Sequence, residues 1–496
     1  MLFTSITFVI FLILVFILYW FVFNRNLSGQ NLFLLVGSYV FYGWWDWRFL
    51  FLLFFISICN YFIAILIYRQ DKKVIRKFLF ITGLAINIST LGIFKYLNFF
   101  IDGIANLLSL VGVNANLHTL NIILPIGISF YIFLSISYII DVYQHKISAE
   151  RNVIDLLLSL SFFPIILAGP IQRPLSLLPQ IKSIRIFNYD NATDGLRQIL
   201  YGVFMKIVIA DNCAVIVNTI FSNSSAYSGS TLVLGIFLFT IQIYADFAGY
   251  SNIAIGIGKL LGFNIMKNFA YPYFSRDIRE FWKRWNISLT NWFRDYVFLP
   301  VAYSVSRKIK SDRVYGIKTD FVIYTIGITV TWILTGLWHG ANYTFIFWGL
   351  IHGFFLIVNH LFSKPRKKLL KRLNIHNDNK LLYVLDVLAT LLIVMFAWLF
   401  FRADTVSQAF SYISEILSPS LFTIPKFTGM RKALTTIILI AIFVLIEWQG
   451  REGQYAIAYL GIKWKRPLRY AMYYCIIFLI MCFGNFNENQ FIYFQF

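Results

Sequence analysis

Residues 321–358, FVIYTIGITVTWILTGLWHGANYTFIFWGLIHGFFLIV, place a histidine between two long apolar runs. The runs before and after Trp338-His339-Gly340 are each long enough, or nearly so, to cross a lipid bilayer. An ionisable side chain at membrane depth costs free energy and therefore marks a candidate functional site. Neutral imidazole suits general-base catalysis near neutral pH. We therefore take His339 as a candidate general base. The alternative is a structural role, in which the histidine is hydrogen-bonded within the packed protein and takes no part in catalysis.

The composition predicts an all-α polytopic membrane protein. The 496 residues are 59% hydrophobic and 13% charged, with a mean hydropathy of +0.71, which leaves too little polar surface for a soluble domain. We expect about 11–12 transmembrane helices in a single integral-membrane domain, 1–496, with 1–23 a retained helix. The run 154–168 contains Pro164, is too short to cross, and predicts a re-entrant segment. Apolar segments lie at 1–23, 31–42, 49–68, 78–98, 121–142, 196–217, 231–250, 321–338, 343–361, 381–401, 432–448 and 469–484.

The net charge of +21 is concentrated in short loops. This pattern is typical of cytoplasmic loops in membrane proteins, so membrane lipids, and not nucleic acid, are the expected partners of the basic residues. If these loops lie in the cytoplasm, both termini are expected on the other side of the membrane. The four cysteines fit neither a zinc site nor a disulfide framework, and we expect no metal site. The basic loops are 69–77, 276–294, 307–318, 364–372 and 463–469.

Asp246 follows the apolar run 232–244. A carboxylate at that depth needs a partner, for which Lys259 or a backbone donor could serve. A buried polar pair that only fixes helix packing is an equally good interpretation.

Residues 281–300, FWKRWNISLTNWFRDYVFLP, predict one helix with an aromatic face. One interpretation is an amphipathic helix that lies in the membrane interface. The other is a basic cytoplasmic surface that receives a polyanionic donor such as coenzyme A. The residues of this face follow one another at spacings of four, four, three and four: Phe281, Trp285, Leu289, Trp292 and Tyr296. The candidate donor-binding residues are Arg276, Lys283, Arg284, Arg294 and Trp285.

The last six residues, FIYFQF at 491–496, are mostly aromatic and apolar. A disordered tail is usually polar, so this one is expected to bury itself. It could be an interfacial anchor, or it could insert Tyr493 toward the site as a nucleophile.

Together these motifs resemble the membrane-bound O-acyltransferase family, in the branch of alginate O-acetylases and peptidoglycan O-acetyltransferases. The resemblance covers nearly the whole chain and implies a ring of helices around a central funnel. It implies 146–361 as the catalytic core, His339 as the catalytic base, and Asp246, Trp338, Gly340 and Arg173 as residues that line or support the site. The matching stretches are AGPIQR at 168–173, 246–300, GLWHGA at 336–341 and FRA at 401–403.

Asn286 departs from the pattern of that branch. A second histidine usually stands in a WHISL motif, where this chain has WNISL at 285–289. Asparagine can donate or accept a hydrogen bond but cannot shuttle a proton. The resemblance therefore leaves the proton transfers to His339 alone and gives Asn286 an orienting or polarising role.

The resemblance implies an O-acetyltransferase of the bacterial cytoplasmic (inner) membrane, with no bound cofactor and acetyl-CoA as the donor. The final acceptor would be peptidoglycan or an alginate-like exopolysaccharide, reached through an extracytoplasmic SGNH-type esterase or transferase partner. The tail 485–496 resembles an acyl relay in which Tyr493 accepts the acetyl group. Three alternatives stay open: D-alanyl transfer to teichoic acid, a non-enzymatic polysaccharide exporter, and an inactive scaffold that anchors a soluble transferase.

Overall fold

The computed structural model describes residues 1–112, 123–376, 379–486 and 491–492. Their contacts divide the chain into two compact units, Met1–Ile199 with Tyr250–Met266, and Leu200–Gly249 with Lys267–Phe496. The single integral-membrane domain and the ring of helices stay predictions.

The first unit is built from consecutive helices and the π-helical turns that extend two of them. Asn26 begins α2 because its side chain accepts hydrogen bonds from the backbone amides of Ser28 and Gly29. The helices are α1 (Ile6–Ile17), α2 (Leu27–Gly43), α3 (Arg48–Arg69), α4 (Lys73–Leu91), α5 (Leu97–Leu110), α6 (Ile128–Tyr143), α7 (Val153–Ser161) and α8 (Pro174–Ile181), with π-helical Leu18–Val22 and Gly92–Tyr96.

The segment 154–168 forms a short helix followed by irregular backbone, and its re-entrance into the membrane stays a prediction. The nine-residue α7 is followed by buried irregular backbone over residues 162–172, with turns at 163–168. Gly169 is required there, because a Cβ atom at this position would lie 2.5 Å from the Cα atom of Ile165. Irregular backbone of this kind is tolerated at membrane depth only when protein or a cavity surrounds it.

Two helices, α9 (Tyr189–Val203) and α11 (Gly229–Leu260), contribute residues to both units. The second unit also contains a small hairpin, whose strands β1 (Arg313–Val314) and β2 (Ile317–Lys318) are joined by Tyr315 and Gly316, both at positive φ. Its other helices are π-helical Phe204–Ala210, α10 (Asp211–Ser222), α12 (Ile278–Arg284), α13 (Ile287–Phe293), π-helical Arg294–Phe298, α14 (Leu299–Lys308), α15 (Thr319–His339), α16 (Tyr343–Arg372), α17 (Lys380–Arg402), α18 (Val406–Ile416), α19 (Met430–Gly450) and α20 (Arg466–Phe483). Short 3₁₀ turns lie at Ser224–Ala226, Pro272–Phe274 and Pro419–Phe422.

Within the described residues, nine helices are long and apolar enough to cross a membrane. The shorter apolar helices Ile6–Val22 and Ile128–Tyr143, together with the 17-residue α2, account for the remaining apolar segments. The prediction of an all-α polytopic membrane protein is confirmed. The nine are Arg48–Arg69, Lys73–Leu110, Tyr189–Ser222, Gly229–Leu260, Thr319–His339, Tyr343–Arg372, Lys380–Arg402, Met430–Gly450 and Arg466–Phe483.

The prediction of one helix over 281–300 is wrong. Helix α12 ends at Arg284, and α13 begins at Ile287. Between them Asn286 adopts a left-handed conformation with φ of 40° and ψ of 56°, which asparagine tolerates better than most residues. Asn268 fixes this break, because its backbone oxygen accepts from Ile287 N at 2.9 Å and its side chain accepts from Ser288 N at 3.1 Å.

Candidate active site

His339 is the last residue of α15, and the chain turns there into α16. The next residue, Gly340, is extended, and the side chain of Asn342 caps α16 by accepting from Thr344 N. The histidine is 4% exposed. The position at the end of one membrane helix and before the next agrees with the sequence prediction.

Two glycines let α15 and α16 approach closely beside the histidine. A Cβ atom at Gly336 would lie 2.3 Å from the backbone oxygen of Phe345. A Cβ atom at Gly349 would lie 2.2 Å from the backbone oxygen of Trp332. Neither position can hold a larger residue unless the helices move apart, so the pair fixes the place of His339.

Aromatic rings surround the imidazole of His339. The ring of Trp348 lies 4.7 Å away at an interplanar angle of 83°, and that of Phe401 lies 5.0 Å away at 77°. The neighbouring Trp338 lies 4.8 Å away, and Phe345 completes the group at 6.4 Å. These rings shield the imidazole from water on the faces that they cover.

A second buried histidine, His352, was not assigned a role from the sequence. It is completely buried in α16, and its Nδ1 accepts a hydrogen bond from Nε1 of Trp282 at 3.3 Å. The acceptor role at Nδ1 leaves the ring proton on Nε2. Trp348 contacts both histidines, with ring centroids 4.7 Å from His339 and 4.9 Å from His352. The i, i+4 spacing of Trp348 and His352 on one helix face was the available signal.

Trp285 belongs to the protein core and not to an exposed donor surface. Its side chain is 1% exposed and packs 5.0 Å from the ring of Trp398. Trp398 in turn stacks on Trp348 at 5.8 Å and 17°. The aromatic face of 281–300 is therefore buried inside the protein, which argues against an interfacial helix. The buried Asn286 lies next to Trp285, and its orienting role stays a prediction.

The predicted basic residues divide between two places. Lys283 and Arg294 line a cavity of about 260 Å³ together with Arg279, which the sequence did not single out. The interior of this cavity is apolar, formed by Trp282, Leu289, Phe293, Phe298, Trp332 and Leu356 among others. Arg276 instead pairs with Asp386 at 3.2 Å, and Arg284 pairs with Glu280 at 2.6 Å.

Asp246 has a different charged partner from the one proposed. It lies on α11 with Lys259, thirteen residues apart, which is ~20 Å along a helix at ~1.5 Å per residue. Lys259 pairs with Asp194 at 2.5 Å. The partner of Asp246 is Lys206, at 2.9 Å, and the expected backbone donor is Ile492 N, also at 2.9 Å.

The other predicted site residues have separate positions. A Cβ atom at Gly340 would lie 2.2 Å from the Phe345 ring, so a larger residue there would displace that ring. Arg173 immediately precedes α8 in the first unit, and its contribution to the site stays a prediction. Tyr493 lies outside the described residues, so its role as an acyl acceptor also stays a prediction.

A buried carboxylate on α19 also escaped the sequence analysis. Glu447 accepts hydrogen bonds from the hydroxyl groups of Tyr201 at 2.8 Å and Tyr244 at 2.6 Å. Burial lowers the pKa of the nearby Lys267 to about 8, and the charge of Glu447 opposes this shift. Lys267 donates to the backbone oxygen of Gly453 at 2.7 Å. The two tyrosine hydrogen bonds to Glu447 join α9, α11 and α19 within the second unit.

Comparison with known proteins identifies the family. The profile of the membrane-bound O-acyltransferase family matches residues 150–403, about half of the chain. The chain belongs to the membrane-bound O-acyltransferase family. The match includes His339 and both halves of the broken segment around Asn286. This protein is thus a multi-pass membrane protein with O-acyltransferase activity, and an exporter without covalent chemistry does not fit the family.

Individual relatives agree with this assignment. The chain is 36% identical over 417 residues to the probable alginate O-acetylase AlgI of Azotobacter vinelandii. This match covers 84% of this chain and 78% of the relative. It is 30% identical over 419 residues to the peptidoglycan O-acetyltransferase of Helicobacter pylori, covering 79% and 75%. The teichoic acid D-alanyltransferase of Bacillus subtilis is 30% identical over 252 residues, covering 50% and 62%.

Proposed function

We propose that this protein is an O-acetyltransferase of the bacterial cytoplasmic membrane that transfers acetyl groups from acetyl-CoA to a cell-envelope polysaccharide. The observation that carries the proposal is the buried His339 at the end of α15, enclosed by aromatic rings. The named acetylases support the acetyl group, since they match this chain over a larger share of its length than the D-alanyltransferase does.

In the proposed reaction, His339 takes the phenolic proton of Tyr493, and the phenolate oxygen attacks the thioester carbonyl. The carbon–sulfur bond breaks, a carbon–oxygen bond forms, and the proton returns to the thiolate leaving group. The products are acetyl-tyrosine and free coenzyme A. A phenol (pKa about 10) is close to a thiol (about 8.5) as a leaving group, so the acetyl group keeps most of its transfer potential.

The donor would bind at the cavity between α12, α13, α15 and α16. Arg279, Lys283 and Arg294 supply positive charge for the phosphates of coenzyme A. The apolar interior, of about 260 Å³, suits the thioester arm better than a charged group. The segment 276–318 is strongly basic, and by the positive-inside rule this supports a cytoplasmic opening of the cavity.

The acetyl group would leave on the other side of the membrane. From Tyr493 it passes to the hydroxyl of an SGNH-type esterase or transferase partner, and then to a sugar hydroxyl of peptidoglycan or an alginate-like polymer. Only the acyl group crosses, so no charged carrier enters hydrocarbon. The partial match to a teichoic acid D-alanyltransferase keeps D-alanyl transfer as the second candidate.

The test uses vesicles containing the purified protein and radiolabelled acetyl-CoA. The wild type should release coenzyme A and form covalently acetylated product, and His339→Ala should lower the rate by ~10²–10⁴-fold, the usual contribution of a general base. His376→Ala, in an exposed loop, is the matched histidine control. Transfer of labelled D-alanine from a carrier protein, without acetyl transfer, would favour the second candidate. Full activity of His339→Ala would refute the mechanism.

A further inference from the structure

Three buried charged side chains form a cluster in the second unit, on the π-helical segment, α10 and α11. Lys206 pairs with Asp211 at 2.8 Å and with Asp246 at 2.9 Å. All three side chains are at most 10% exposed. We call Lys206, Asp211 and Asp246 the Lys206 cluster. Two carboxylates and one ammonium group carry a formal charge of −1, and buried charge of this kind needs hydrogen-bond donors around it.

The C-terminal segment supplies such a donor. The backbone N–H of Ile492 donates to Oδ2 of Asp246 at 2.9 Å, so one carboxylate binds Lys206 with one oxygen and the tail with the other. The ring of Phe491 packs against Phe247 at 5.6 Å. Phe491 and Ile492 are 2% and 3% exposed, so this part of the tail is held inside the protein.

The beginning of the same segment is bound to the same elements. Asn485 N donates to the backbone oxygen of Ile207 at 3.1 Å, and its side chain donates to the backbone oxygen of Asp211 at 3.3 Å. Asn212 donates to the backbone oxygen of Phe483 at 2.7 Å. A π-helical segment changes the α-helical pairing of its carbonyl groups, and Ile207 uses its carbonyl here to receive the tail.

We propose that the Lys206 cluster is a docking site for the C-terminal segment and that Asp246 is a positioning residue. Asp246 holds Ile492, the residue immediately before Tyr493, while Asn485 secures the other end. The positioning role rests on the proposed function, because it delivers the residue expected to accept the acetyl group. The docking itself is independent of any chemistry and can be measured separately.

Asp246→Asn tests the docking. The substitution leaves Lys206 paired with Asp211, a neutral pair, so the fold is expected to survive. Hydrogen exchange followed by mass spectrometry on the purified protein measures the amides of Asn485, Phe486, Phe491 and Ile492. Asparagine has one uncharged acceptor oxygen in place of the two carboxylate oxygens that bind Lys206 and Ile492 N, so the charge-assisted hydrogen bond to the tail is lost. Exchange of these amides should accelerate about tenfold, while α15 and α16 keep wild-type exchange.

Two further variants change the tail and leave Asp246 in place. Ile492→Pro removes the N–H donor and leaves the Lys206 cluster unchanged, whereas Ile492→Val keeps the donor. The proline variant should accelerate exchange of the remaining tail amides, and the valine variant should match the wild type. This pair still decides the question if Asp246→Asn does not fold.

Acetyl transfer supplies the functional readout. Asp246→Asn and Ile492→Pro should lower turnover at least about tenfold with an unchanged KM for acetyl-CoA, because the tail and not the donor is displaced. Tail exchange within about twofold of the wild type in both variants would overturn the docking. Released tails with normal turnover would overturn the positioning role. If the His339→Ala test fails while the tails are released, the docking stands and the proposed function falls.

Discussion

Gly336→Ala should disable the protein by moving His339 and not by removing any functional group. The new Cβ atom would lie 2.3 Å from the backbone oxygen of Phe345 and 3.3 Å from the Cα atom of Ile346, where ordinary contacts begin at 3.4 Å. Since the nearest obstacle is backbone, α15 and α16 must separate locally by about 1 Å. Overpacking of this size costs ~1–3 kcal/mol of stability. Displacement of a catalytic group by ~1 Å can cost ~10²-fold in rate.

The assay combines acetyl transfer with thermal unfolding of the purified protein. Gly336→Ala should lower both turnover and the unfolding temperature. Gly103→Ala is the matched control, since this helical glycine has no atom within 4 Å of the added methyl group, and alanine there should stabilise the helix by ~0.5–1 kcal/mol. If Gly336→Ala keeps wild-type turnover and unfolding temperature, the close packing of α15 on α16 does not hold the site.

Three further variants address residues whose roles are still predictions. The double variant Lys283→Ala, Arg294→Ala should raise the KM for acetyl-CoA about tenfold and weaken its salt dependence, since exposed charges act through a screened potential; an unchanged KM would remove these residues from donor binding. Asn286→Ala should lose both turnover and ~1–2 kcal/mol of stability, because alanine fits the left-handed conformation poorly. Asn286→Gly relieves that strain and should lose turnover alone, so full turnover in the glycine variant would mean that only the backbone conformation matters.

Hydropathy predicted the membrane helices well but not where they end. The apolar segment 343–361 corresponds to α16, which continues to Arg372 through Pro365 and a basic stretch. The segment 78–98 likewise lies within a continuous helical span, Lys73–Leu110. Apolar composition reports the part of a helix that contacts lipid, whereas the polar extension depends on backbone hydrogen bonding, which leaves no hydropathy signal.

The candidate site was predictable where it depended on local sequence. His339 and its glycine neighbours stand in one continuous stretch, and their positions were anticipated. The partner of Asp246 was not, because Lys206 comes forty residues earlier and reaches Asp246 only through tertiary packing. The break at Asn286 was also missed, since the spacing of the aromatic residues fits a single helix and the backbone turn is imposed by Asn268.

The π-helical segment Phe204–Ala210 decides whether two members of the Lys206 cluster face each other. The backbone N–H of Asp211 donates to the backbone oxygen of Lys206, five residues earlier, so the wide turn places one residue nearly above the other. In a regular α-helix, five residues at roughly 100° each would turn the two side chains about 140° apart. The same residues at the same spacing would then not form their ion pair. Deletion of Val208 would reduce the spacing to four residues, at which a regular α-helix again brings the two side chains onto one face. The ion pair therefore depends on the match between helix type and spacing, and not on the residue types alone.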